Sequence, residues 1–296
     1  DVYNLEAIHE FWDSLNLPEG YKDSTFYNII PDTDIDLKPE PMNILDNPKP
    51  ISAVAIDVSI PIIQNEVTSL SVYSQIAKMI GETIDPETGE NVELGYGFAP
   101  VGVFHHIGIF SWQVEYRIIP DGKFEFEYWD RAYEHTRATV TSVENGFSSI
   151  EVKPKSDYLG EFGTMRGIYG AAYFDINEYF LIGATYQNMF GQKWNRVDSF
   201  EHQSLASFLA FAELTQPMGS IESASAFYQQ RNVPNPFKFE PTENTIMGFS
   251  VGVKIGWGMI LNYSFKRSFL DKNGDGDILD NDESINISLL ETSFGF

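Results

Sequence analysis

The chain has 296 residues, of which 43 are acidic and 19 basic, giving a formal net charge of −24 at pH 7. Nucleic-acid binding needs clustered lysines and arginines, so this balance argues against a nucleic-acid partner. Cysteine is absent, which excludes disulfides, thiolate zinc sites and cysteine nucleophiles. No run of 18 apolar residues is present from which a transmembrane helix could form.

Residues 1–49 differ in character from the rest of the chain. A helix is predicted over 3–15, where apolar residues are spaced for one helical face: Leu5, Ile8, Trp12 and Leu15. After Pro18 the prolines become too dense for a helix or a central strand. We predict an irregular, partly helical arm, plug or long loop. Because residue 1 is Asp rather than Met, we also expect that an export signal has been removed.

From Ile51 onward the hydrophobic pattern has a period of two, which predicts β-strands. The clearest segment is 109–119, in which bulky residues alternate with polar ones: Phe110, Trp112, Val114, Tyr116 and Ile118 against Ser111, Gln113, Glu115 and Arg117. The predicted strands run about 9–14 residues, which is long for a soluble sheet and suits a tilted bilayer crossing. They lie near 51–63, 67–80, 92–104, 109–119, 123–135, 163–174, 179–190, 204–215, 220–230, 245–256, 257–269 and 284–296.

The residue composition of the two strand faces distinguishes between two fold classes. A soluble β-sandwich or lipocalin-like barrel also alternates, but its solvent face is rich in Lys, Glu and Thr. Here one face is bulky and aromatic and the other is small, with Ala, Gly, Ser and Asn. This pattern favours a lipid-facing wall around a polar lumen. We therefore predict an all-β fold, an antiparallel up-and-down transmembrane β-barrel of about 12–14 strands over 50–296.

Connection lengths give each predicted strand a direction. Short periplasmic turns and long outer loops alternate in outer-membrane barrels, and the C-terminal half of the chain shows this alternation. Tracing directions from both ends makes 123–135 and 163–174 run the same way. We therefore expect one more strand within 136–162, at 148–153 or 137–143, and about 13 visible strands.

The chain ends in Leu290-Glu291-Thr292-Ser293-Phe294-Gly295-Phe296, with apolar residues at alternate positions. This ending resembles the C-terminal assembly signal of bacterial outer-membrane proteins, with Leu290, Phe294 and Phe296 matching its register. The resemblance implies recognition by the barrel-assembly machinery, which adds a strand to an exposed edge. The resemblance covers these last residues and the general strand pattern of 51–296.

The segment Asp271–Asp282 resembles an EF-hand calcium loop. Oxygen-bearing side chains recur at alternate positions, Gly276 stands at the turn position, and an acidic residue closes the loop. It departs from the family in having Asp282 in place of the bidentate Glu and in lacking flanking helices. The resemblance implies Ca²⁺ ligands at Asp271, Asn273, Asp275, Asp277 and Asp282; a solvated acidic loop is the alternative.

A set of charged residues falls on the predicted inward faces of adjacent strands. Neighbouring carboxylates and guanidiniums could form a lumenal ladder, either as structural ion pairs or as a selective transport site. The predicted members of this ladder are Glu115, Arg117, Glu125, Glu127, Arg131, Glu134 and Arg137.

These features predict localisation in the bacterial outer membrane, with the bilayer, outer-membrane lipids and other envelope proteins as partners. No hydrolase signature or phosphate loop is present, so we predict that the protein is not an enzyme. A porin-like channel is preferred because the inner faces of 204–215, 220–230 and 245–256 look rich in Ser, Ala and Gly. The alternatives are a non-catalytic scaffold for an outer-surface assembly and a transporter of hydrophobic compounds with 1–49 as its plug.

Overall fold

The computed structural model describes residues 50–131, 133, 138–144, 148–195, 197–256, 258–269, 278 and 284–294. The predicted N-terminal arm, 1–49, therefore lies outside the described residues. Within these ranges the fold is all-β and antiparallel, with fifteen strands and two short 3-10 helices. None of the described helical segments is long and apolar enough to cross a membrane.

Eleven strands form one sheet in which chain neighbours pair in order. These strands are long because bulky, mostly β-branched or aromatic residues recur at every second position. Their bounds are β1 Ser52–Gln64, β2 Thr68–Ile80, β5 Tyr96–Ile107, β6 Phe110–Ile119, β9 Phe162–Ile176, β10 Phe180–Trp194, β11 Phe200–Leu214, β12 Ile221–Val233, β13 Thr245–Gly256, β14 Met259–Phe269 and β15 Ser284–Phe294. The main sheet thus has eleven described strands, fewer than the 12–14 expected.

The remaining strands pair as two separate hairpins. Strands β3 (Glu82–Ile84) and β4 (Asn91–Glu93) lie in the connection between β2 and β5. Strands β7 (Ala138–Glu144) and β8 (Ser148–Pro154) lie in the connection between β6 and β9. Thus both candidate segments for an extra strand within 136–162 are strands, but they pair with each other and not with the main sheet.

The predicted strand at 123–135 is wrong. Residues 120–131 form turns and bends, with positive φ at Gly122, Lys123 and Glu127. The alternating aromatic residues Phe124, Phe126 and Tyr128 are nevertheless all buried. A chain that reverses direction can bury alternate side chains without pairing as a strand. Removing this strand also removes the direction conflict, because β9 then follows β6 in the sheet and pairs antiparallel with it.

Side chains of the main sheet alternate between two faces that differ in exposure. On β6, Val114 and Tyr116 are 49% and 37% exposed, whereas Glu115 and Arg117 are 2% and 4% exposed. We call the side of Glu115 and Arg117 the covered face and the side of Val114 and Tyr116 the exposed face. A soluble sheet shows the opposite arrangement, since burial of the apolar face drives its folding.

The register corrects part of the expectation that the covered face is rich in Ser, Ala and Gly. On β13 the expectation is met, with Gly248, Ser250 and Gly252 on that face. On β11, however, pairing with β10 places larger apolar residues opposite Thr185 and Gly183. The covered face of β11 carries Leu205, Ser207, Leu209 and Phe211, and its alanines Ala206, Ala210 and Ala212 lie on the exposed face.

Strands β1 and β15 form the two edges of the main sheet. Every side chain of β1 is exposed, as is nearly every one of β15. No pairing joins β1 to β15 among the described strands. Because eleven strands alternate in direction, the two edge strands run the same way.

Two compact units divide the described residues. One unit comprises 50–54, Lys78–Gly95 and Lys123–Phe162, and its core contains Met79, Leu94, Phe124, Tyr128 and Leu159. Within it, the Thr83 hydroxyl donates to Ser156 O at 2.8 Å and accepts from Gly160 N at 2.9 Å. The other unit comprises Ala55–Ala77, Tyr96–Gly122 and the chain from Gly163, and it holds the site described next.

Candidate functional site

The buried carboxylate of Glu115 is the centre of a polar network on the covered face. Its oxygens accept hydrogen bonds from Tyr73 Oη at 2.6 Å, Gln113 Nε2 at 2.5 Å and Arg117 Nε at 2.8 Å, with Gln75 Nε2 further away at 3.4 Å. Alternation on β2 and β6 places all these side chains on one face. A buried carboxylate is stable only when its lone pairs are satisfied in this way.

Arg117 extends the network across the neighbouring strands. Its guanidinium lies 3.7 Å from the centroid of the Tyr169 ring on β9 and donates to Gln187 Oε1 on β10. Stacking on an aromatic face and pairing with a carboxylate are the two contacts that make a buried guanidinium tolerable. The network thus joins β2, β6, β9 and β10.

Tyr73 reaches Glu115 by lying over a glycine of the intervening strand. A Cβ at Gly102, on β5, would come within 2.3 Å of the Tyr73 ring. Only glycine leaves room for the ring in this position. The network therefore lies along the sheet, bracing adjacent strands.

We expect Gly102→Ala to displace Tyr73 and to lower the free energy of unfolding by about 1–3 kcal/mol, the usual cost of overpacking. Gly170→Ala on β9 is the matched control, because a Cβ there meets only Gln113 O at 3.7 Å. Urea unfolding followed by tryptophan fluorescence measures both variants. Equal stability of the two variants would show that Tyr73 is not held by this contact.

The structure brings together only part of the predicted charge ladder. Glu115 and Arg117 form a direct ion pair at 2.8 Å. Glu125, Glu127 and Arg131 belong to the turns of 123–131, in the other unit, and not to a strand of the main sheet. Glu134 and Arg137 lie outside the described residues. Sequence reasoning omitted Tyr73, Gln75 and Gln187, although the same alternation placed Tyr73 and Gln75 on the polar face.

The 123–131 segment instead contributes to an aromatic cluster of its own unit. Lys155 Nζ donates to Tyr128 O at 2.7 Å, lies 3.8 Å from Asp130 Oδ1 and stacks over the Tyr128 ring. Burial raises the pKa of the Tyr128 hydroxyl, and the nearby Tyr133, Glu125 and Asp157 raise it further. This hydroxyl therefore stays protonated, and the cluster packs the unit's core.

Two residues of the predicted assembly signal, Leu290 and Phe294, lie on β15, an edge strand of the described sheet. Leu290 and Phe294 are 64% and 62% exposed and share the exposed face, opposite Tyr263 and Met259 of β14. Phe296 lies outside the described residues. An edge strand with its backbone groups unpaired on one side is the form that strand addition requires. Recognition by assembly machinery remains a prediction.

The predicted calcium loop falls on residues 271–282, all outside the described residues except Ile278. Within the described ranges, no three His, Asp or Glu side chains are grouped to hold a metal ion. The calcium site therefore remains a prediction from the sequence.

If the loop binds Ca²⁺, Asp275→Asn is expected to weaken the affinity by about tenfold or more, because it removes one charged ligand. Asp280→Asn is the matched control, since it removes the same charge from a position that supplies no ligand in the EF-hand pattern. Titration calorimetry with Ca²⁺ measures both. A similar loss in the two variants would indicate diffuse attraction to an acidic loop.

The network holds an ion pair between two charged side chains in a buried setting. Its side chains satisfy one another: the Glu115 carboxylate accepts from tyrosine, glutamine and arginine, and Arg117 contacts Tyr169 and Gln187. The arrangement is suited to shaping a polar surface. Comparison with models of known protein families finds no match, and comparison with curated proteins likewise finds none.

Proposed function

We propose that the chain is a β-barrel of the bacterial outer membrane that acts as a porin-like channel for small solutes or ions. The observation that carries the proposal is the inverted burial on β6, where Val114 and Tyr116 are exposed and Glu115 and Arg117 are covered. In a bilayer, apolar side chains on the outer wall meet lipid, and polar side chains turn to the interior. If this face met water instead, its apolar side chains would be exposed to solvent with nothing to cover them.

Strand length and connectivity support the same proposal. The main-sheet strands have 10–15 residues, enough for a tilted crossing. Connections at one end of the meander are short, such as 108–109 and 177–179, whereas those at the other end include 81–95, 120–161 and 234–244. This asymmetry is typical of outer-membrane barrels, whose short turns face the periplasm.

Closure of the wall requires that both sheet edges be covered, since an open edge is not tolerated in hydrocarbon. Because β1 and β15 run in the same direction, a direct seam between them would be parallel. An antiparallel closure needs a twelfth strand between β1 and β15. Residues 1–49 are numerous enough to provide it.

Planar-bilayer recording tests the proposed activity. We expect purified protein to give ohmic single-channel steps in KCl, because the covered face supplies polar groups such as Ser250, Ser264 and Gln229. Protein that inserts into the bilayer without conducting would contradict the channel and support the scaffold alternative. Insertion is checked independently by co-flotation with lipid vesicles.

A further inference from the structure

The connection 234–244, between β12 and β13, folds back over the exposed face of the main sheet. It contains a short 3-10 helix, Pro236–Lys238, whose proline is fully buried. Gln230 and Thr245 stand opposite each other on the exposed face, yet each is only 1% exposed. These two side chains are buried because the connection covers them.

Hydrogen bonds hold the connection in this position. Gln230 Nε2, on the sheet, donates to Glu240 O at 2.6 Å. Within the connection, the side chain of Asn235 accepts from Phe237 N at 3.0 Å and caps the 3-10 helix. Backbone groups that are paired in this way tolerate apolar surroundings, because they do not need water as a partner.

Two phenylalanines of the connection pack on aromatic residues of the exposed face. The ring centroid of Phe237 lies 5.2 Å from that of Tyr186 on β10 and 5.5 Å from that of Phe208 on β11. The ring centroid of Phe239 lies 5.7 Å from that of Tyr228 on β12. Phe237 and Phe239 nevertheless remain 53% and 55% exposed. A large part of each side chain is therefore free to contact a partner.

These contacts lie where the exposed face of β10 changes in character. Between the turn at 177–179 and Tyr186, that face carries only apolar residues: Phe180, Ile182 and Ala184. Beyond Tyr186, the polar residues Asn188 and Gln192 are interspersed with aromatic ones. In a membrane wall such a change marks the boundary between hydrocarbon and headgroups, where aromatic side chains are favoured.

We infer that the connection 234–244 is a membrane-interface anchor, which inserts Phe237 and Phe239 among the lipids of the outer leaflet. The inference rests on the proposed function, because it assumes that the exposed face meets lipid and that long connections lie outside. Lys238 and Glu240, which flank Phe239, are both exposed and pair with each other at 3.8 Å. Apolar rings beside exposed charges suit the headgroup boundary, where the rings contact acyl chains and the charges stay hydrated.

Nitroxide labels on single introduced cysteines test the depth of the connection, since the chain has no cysteine of its own. In lipid vesicles, power-saturation EPR compares collisions of each label with apolar oxygen and with a water-soluble nickel chelate. We expect the labels of Phe237→Cys and Phe239→Cys to favour oxygen, as the mid-strand label of Val114→Cys does. Lys238→Cys is the matched control: it lies between the two phenylalanines, keeps both rings and should favour nickel.

The variant Phe237→Trp keeps an aromatic ring and serves if a cysteine variant fails to fold. Brominated lipid should quench the fluorescence that Phe237→Trp adds to that of the native protein, but not the fluorescence that Lys238→Trp adds. Equal quenching of these two variants would overturn the anchor. So would nickel-favouring labels at both phenylalanines with an oxygen-favouring label at Val114, which would leave the rings to a protein partner. A nickel-favouring label at Val114 would contradict the proposed membrane wall itself.

Discussion

Replacing Arg117 by Met is expected to destabilise the folded protein by about 3–5 kcal/mol, the cost of leaving a buried charge without its partner. The Glu115 carboxylate is almost fully buried and would lose the Nε donor at 2.8 Å. Tyr73 and Gln113 would still donate to it, but neither carries a charge. Urea unfolding in detergent micelles, followed by tryptophan fluorescence, gives the free-energy change.

The double variant Glu115→Gln/Arg117→Met is expected to recover most of this loss, because a neutral amide leaves no unpaired charge in the network. Lys238→Met is the matched control: both side chains of its ion pair with Glu240 are exposed, so it should cost at most about 1 kcal/mol. If Arg117→Met costs no more than this control, the network does not hold the sheet together.

The second large effect concerns the exposed face. Val114→Arg is expected to destabilise the protein in a bilayer by about 2–4 kcal/mol, because on the proposed lipid-facing wall it places a guanidinium in hydrocarbon near mid-strand. If the same face met water, a charged residue at a position 49% exposed would be nearly neutral. Reversible urea unfolding in lipid vesicles separates the two cases.

His202→Arg provides the depth control for this prediction. His202 lies near the start of β11, on the same exposed face, as its pairing with Gln192 and its contact with Phe190 indicate. An arginine at the wall's margin should cost only about 0–1 kcal/mol. Equal, small effects of both substitutions would contradict a lipid-facing wall and with it the outer-membrane proposal.

Strand prediction succeeded where one face was bulky and the other small. The predicted segment 245–256 coincides with β13, and 257–269 differs from β14 only at its start. The method failed at 123–135, because alternation reports which side chains are buried and not whether the backbone pairs. The predicted strands also left a loop over 191–203 that is too long, because β10 continues to Trp194 and β11 begins at Phe200. The Asn195 side chain closes the remaining turn by accepting from Val197 N, Asp198 N and Ser199 N.

Assignment of faces failed for one physical reason. On β11 both alternating sets contain apolar residues, so periodicity cannot tell which set points inward. Pairing with β10 decides it, since Gln187 of the network stands opposite Ser207, which places Leu209 and Phe211 on the same side. The same register places Phe211 opposite Phe227 of β12 on the covered face, where the sequence pattern had predicted small residues.

By itself the sequence determined the all-β class, the antiparallel meander and the opposition of Glu115 and Arg117 to Val114 and Tyr116, because these follow from local alternation and turn placement. Only the tertiary structure decided how many strands join the main sheet, which side of β11 is covered, and that Tyr73 and Gln187 complete the network. Those properties depend on pairing between distant segments, where a slip of one residue reverses every side chain, and local periodicity carries no information about that pairing.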